Sequence, residues 1–71
     1  VVRFTRHAKN RARDIGATVV DVEQLIANPD NVDLGPDGKW RYVGHLRDER
    51  VRVVVALDEP DLIVTIHRRP R

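Results

Sequence analysis

The side chains with most chemical potential in this 71-residue chain are three histidines and a large excess of arginine over lysine. Two histidines flanking an arginine suit metal-independent RNA cleavage. One imidazole takes the proton from a ribose 2′-hydroxyl, the other protonates the departing 5′-oxygen, and the guanidinium stabilises the charge building on phosphorus. His45, Arg52 and His67 fall where three neighbouring strands would align them, with Thr65 one step away. Histidine suits both roles because its unperturbed pKa of ~6.5 lies near working pH. Arginines close by disfavour the imidazolium and so favour the base role. The plainer alternative is that His45 and His67 are solvent-facing strand residues with no chemical duty. His7 is a third candidate, in the first turn of a helix with Arg11 one turn on. The helix N-terminus keeps such a ring neutral; the alternative is a ring packed at a helix–sheet junction.

Other chemistries are poorly served. The chain has no cysteine and no serine, which removes disulfides, thiolate metal sites and a serine nucleophile. Three scattered histidines lack the spacing of a zinc site. The glycines fall at turns and at strand position 44, so no loop cradles a nucleotide phosphate. Neither a metal nor a cofactor is expected. No apolar run approaches the ~20 residues that span a bilayer, so no membrane partner is expected.

The elements that must position these residues follow from periodicity and punctuation. Val1–Phe4 reads as a short strand or an extended lead-in. Thr5 caps a helix over Arg6–Ile15 that Gly16 closes, and Thr18 with Asp21 caps a second over Val19–Asn28, ended by Pro29. The period then changes from 3.6 to 2. Strands are expected at Asn31–Gly35, Trp40–Arg47, Arg50–Leu57 and Leu62–Arg68, with Gly38 left-handed in the first hairpin loop. The expected fold is α+β: two N-terminal helices on one face of a four-stranded antiparallel sheet, in the order ααββββ. One domain spans 1–71, and a start at valine fits the C-terminal part of a longer protein.

A tight turn at Asp48-Glu49 would pair Arg47 with Arg50 and His45 with Arg52. A four-residue connection would pair Leu57 with Leu62, Val55 with Val64 and Arg52 with His67. One face then collects Trp40, Tyr42, Leu46, Val51, Val53, Val55, Leu57, Leu62, Val64 and Ile66, where the helices pack. The other collects Arg41, Val43, His45, Arg47, Arg50, Arg52, Val54, Thr65, His67 and Arg69. So many like charges on one face call for an anionic partner. Net charge is only +2, with a pI near 9.7. The charges are nevertheless segregated: residues 1–13 are purely basic and residues 14–38 purely acidic among their charged side chains. Arginine's planar fork suits phosphate, which points to RNA, with Arg41, His45, Arg47, Arg50 and Arg69 as binding residues.

The run Thr5–Gly16, containing His7-Ala8-Lys9-Asn10-Arg11, followed by Asp21-Val22, Asn28-Pro29 and the strands Arg52–Val55 and Leu62–Ile66, resembles a bacterial His-Ala-x-x-Arg domain of unknown function. It is similar to BrnT-type and RelE-type toxins, near the group of metal-independent ribonucleases that includes barnase, EndoU and colicins. The resemblance implies an endoribonuclease toxin acting in the bacterial cytoplasm, free-standing or delivered by a larger secreted toxin, and neutralised by a cognate antitoxin or immunity protein. It implies roles for His7 and Arg11 on the helix, Arg52 on the central strand, and Thr65 or His67 on the last. Ile15 departs from the basic residue common before the glycine in this group. His7 and His67 would form the acid–base pair, with Tyr42 and His45 in support. A non-catalytic nucleic-acid binder and a gyrase-poisoning interaction toxin are the rival expectations.

Overall fold

A computed structural model describes residues 2–46 and 48–68. Its elements are β1 (Arg3–Phe4), α1 (Arg6–Ile15), α2 (Val19–Ala27), β2 (Asn31–Leu34), β3 (Trp40–Leu46), β4 (Glu49–Val55) and β5 (Leu62–Arg68). Both helices start as their sequences demand. The Thr5 hydroxyl accepts from the Ala8 N–H, and Thr18 and Asp21 bond reciprocally in a capping box. Gly16 closes α1 at φ 72°, and Gly38 holds φ 80° in the β2–β3 loop.

The sheet has five strands in the order β1-β5-β4-β3-β2, and β1 runs parallel to β5. This corrects the expected four-stranded antiparallel sheet. Arg3 donates from its backbone to the Asp61 carbonyl at 2.7 Å, Thr5 to that of Ile63 at 3.0 Å. The Arg3 guanidinium also pairs with Asp61 and Glu59 in the β4–β5 connection. The sequence allows a short strand at Val1–Phe4, but two residues are too few to show a period, so nothing in it gives the strand's partner or direction.

Both helices pack on one sheet face. Ala8 and Ala12 of α1 and Val22 and Leu25 of α2 meet Val51, Val53, Val55, Ile63 and Ile66. Leu25 lies so close to β3 that a Cβ at Gly44 would sit 2.9 Å from its Cγ, which explains a glycine in mid-strand.

Two registers differ from expectation. In the β3–β4 ladder His45 faces Arg50, Val43 faces Arg52 and Leu46 faces Glu49. That is a slip of two residues from the expected pairing. A slip of two keeps every side chain on its own face, so hydrophobic alternation cannot detect it. Glu49 is drawn into the strand and pairs with Arg68 of β5 at 2.6 Å. In the β4–β5 ladder Arg52 faces His67 and Val54 faces Thr65 as expected, but a bulge then places Val55 opposite Ile63 rather than Val64. Ile63 is consequently fully buried, whereas Leu57 is 53 % exposed and lies beyond β4. Leu57, Leu62 and Val64, all expected in the core, are thus replaced there by Ile63.

Candidate active site

The site lies where α1 meets the far end of β5. β1 covers β5 only along Leu62–Ile63, so the strand's outer carbonyls need other donors beyond that point. Helix α1 supplies them: the Thr5 hydroxyl donates to the Val64 carbonyl at 2.9 Å and Arg11 Nε to that of Ile66 at 3.2 Å. This anchoring brings His7 and Arg11, one helical turn apart, alongside His67. From the sheet side, Arg52 faces His67 across the ladder.

His67 registers this arrangement. Partial burial, followed by the charges of Arg11, Arg52 and His7, lowers its pKa below the ordinary 6.5 of histidine. At neutral pH its ring is therefore unprotonated and carries a free lone pair. Arg52 makes no ion pair among the described residues, so its guanidinium is available to an anion. The Thr65 hydroxyl, next but one to His67, is buried without a hydrogen-bond partner. A hydroxyl there offers one donor and two acceptor positions to a ligand oxygen or a water.

A depression of about 400 Å³ opens on this face. Arg52, Thr65 and His67 line one side, Val54 and Val64 its floor, and the β2–β3 hairpin the other. Val64 reaches it because of the bulge, which sets it on the open face beside Thr65.

Of the residues singled out from the sequence, His7, Arg11, Arg52, Thr65 and His67 converge. His45 does not: the two-residue slip moves it beside Arg50, where its Nδ1 lies 2.8 Å from the Asp30 carboxylate. The expected row His45–Arg52–His67 is in fact Val43–Arg52–His67. Arg41 lines the groove, but its Nε donates to Asp33 at 2.7 Å, so part of its charge is answered within the sheet. Tyr42 packs toward the helices and away from the groove. Arg47 and Arg69 lie outside the described residues. Asp30 and Asp33, whose pairing depends on the exact register, and the groove floor, which depends on the bulge, have no signal in the sequence. No three His, Asp or Glu side chains among the described residues gather as a metal site. No helix among them is long and apolar enough to cross a membrane.

Two helices on one face of a five-stranded mixed sheet, with His7, Arg11, Arg52 and His67 gathered at the α1–β5 junction, define this domain. Residues 4–68 match the family described as Domain of unknown function (DUF4258), and the chain belongs to that family. No curated protein and no solved structure matches the chain.

Proposed function

We propose that the domain is a metal-independent endoribonuclease of the toxin kind, similar in its chemistry to the RelE-type and BrnT-type ribonucleases. The observation that carries this reading is the approach of His7, Arg11 and Arg52 to His67, whose ring they help keep neutral. A neutral imidazole beside a guanidinium such as that of Arg52, which makes no ion pair among the described residues, is what the first half of RNA cleavage needs. His67 would take the 2′-hydroxyl proton and the freed oxygen would attack the adjacent phosphorus; His7, protonated once the phosphate's negative charge lies beside it and offsets the helix N-terminus, would give that proton to the 5′-oxygen as the P–O bond breaks. Arg52 and Arg11 would stabilise the dianionic transition state. The products are a 2′,3′-cyclic phosphate and a 5′-hydroxyl. The Thr65 hydroxyl would meet a ribose or phosphate oxygen.

As a toxin the domain would require a neutralising protein. The test is expression in bacteria with sequencing of RNA ends. New 5′-hydroxyl ends that depend on His67 support the proposal, and an unchanged RNA population counts against it. Salt-dependent RNA binding without new ends would instead favour a non-catalytic binder.

A further inference from the structure

The bulge between Val54 and Val55 does more than adjust a register. It turns Val64 out of the core and gives the groove an apolar floor of Val54 and Val64 beside the phosphate-facing residues. The row of Arg52 and His67 lies two residues, roughly 7 Å, from the row of Val54 and Thr65. An apolar patch at that distance from a phosphate site fits a flat heterocycle joined to the phosphate through a sugar.

The hairpin side of the groove carries Lys39, Arg41, which Asp33 pairs, and the Asp37 carboxylate. Its position is set from two sides. The Lys39 N–H donates to Oδ1 at 3.2 Å and the Lys39 ammonium lies 3.6 Å from Oδ2. At Gly35 the backbone passes so close that a Cβ there would meet Oδ1 at 2.9 Å. The Lys39 backbone bond holds Asp37 below the usual carboxylate range, so the group is an acceptor at neutral pH. A carboxylate offers about four lone-pair positions, and the loop occupies only part of them. Such an acceptor selects for N–H donors. Of the four RNA bases only guanine presents two adjacent ones, at N1 and N2; adenine and cytosine present an amine beside a ring acceptor, and uracil a single N–H between carbonyls.

We propose that this groove is a nucleobase subsite preferring guanine, with Val54 and Val64 as its floor and Asp37 as the residue that sets the preference. The inference rests on the phosphate-binding reading above and adds the base next to the scissile bond.

The test is a titration of the isotope-labelled domain with inorganic phosphate and, separately, with the 3′-monophosphates of guanosine, adenosine, cytidine and uridine, followed by amide NMR. Guanosine 3′-monophosphate is expected to bind at least tenfold more tightly than the other three and to shift Val54, Val64, Thr65 and Asp37. Asp37→Asn and Asp37→Ala should each abolish that preference while phosphate still shifts His67 and Arg52. Equal affinities for all four nucleotides, or a preference that survives both variants, would overturn the base subsite and leave the phosphate site standing. If phosphate and every nucleotide leave His7, Arg11, Arg52 and His67 unmoved, the phosphate reading fails as well.

Discussion

His67 lies directly opposite Arg52 across the β4–β5 ladder, so the guanidinium best placed to hold a phosphate also helps keep the neighbouring imidazole unprotonated. Burial contributes most to that effect, and Arg11 and His7 add to it. In the proposed reaction one arrangement would thus set both the affinity for an anion and the protonation state needed to act on it.

The pH dependence follows in sign. The pKa of His67 is lowered in the folded chain, so its base form persists as pH falls through 6.5 and is lost only further down. The acid limb of kcat/KM should therefore lie below pH 6.5. Arg52→Gln removes one depressing charge and should move that limb upward as well as lowering the rate. Stability obeys the same linkage: the unfolded chain binds a proton near pH 6.5 before the native chain does, so stability declines as pH falls from 6.5 toward the folded pKa. Histidine NMR titration checks the pKa, and urea unfolding at stepped pH checks the linkage.

Thr65→Val separates stability from function. The native hydroxyl is buried and unpaired, so replacing it with a methyl should leave the free domain unchanged or more stable by about 1 kcal/mol. Cleavage should fall, because the group that would meet the substrate is gone. A loss of both together would show the hydroxyl to be structural.

His45→Ala tests the observed register against the expected one. Paired with Arg50 and bonded to Asp30, His45 stands outside the His67 cluster, so its removal should leave cleavage at the wild-type rate. His67→Ala should lower that rate by ~10²-fold or more. Equal losses in the two variants would restore the row His45–Arg52–His67 and refute the slipped ladder.

Gly44→Ala probes how α2 seats on β3. The added Cβ would lie 2.9 Å from Leu25 Cγ, an overpacking expected to cost about 1–3 kcal/mol. Leu25→Val in the same chain should recover part of the loss, as read by the midpoint of urea unfolding.

These predictions depend on features that were unevenly legible in the amino-acid order. Thr5, Gly16, Thr18 and Asp21 mark the helix ends through local bonds within a few residues, and each does in the structure what its type suggests. The apolar alternation of Val51, Val53 and Val55 places β4 correctly on the core. Alternation has period two, however, and is blind to the two-residue slip that removes His45 from the site. It is equally blind to the partner of β1, which is two residues long, and to the bulge between Val54 and Val55. Arg52, Thr65 and His67 share a face because the β4–β5 register is the expected one at these residues, whereas His7 and Arg11 reach His67 through the bonds of Thr5 and Arg11 to β5 carbonyls. The acidic partners Asp30 and Asp33 were hidden, since only the final pairing shows which side chain each one meets.

The central claim is that His7 and His67 cleave RNA without a metal. The most direct measurement is incubation of the purified domain with transfer RNA and total RNA in excess EDTA, with analysis of the product ends. Cleavage is expected to leave 2′,3′-cyclic phosphate and 5′-hydroxyl termini and to be abolished in the His7→Ala, His67→Ala double variant. Intact RNA at stoichiometric protein, or full cleavage by the double variant, would contradict it.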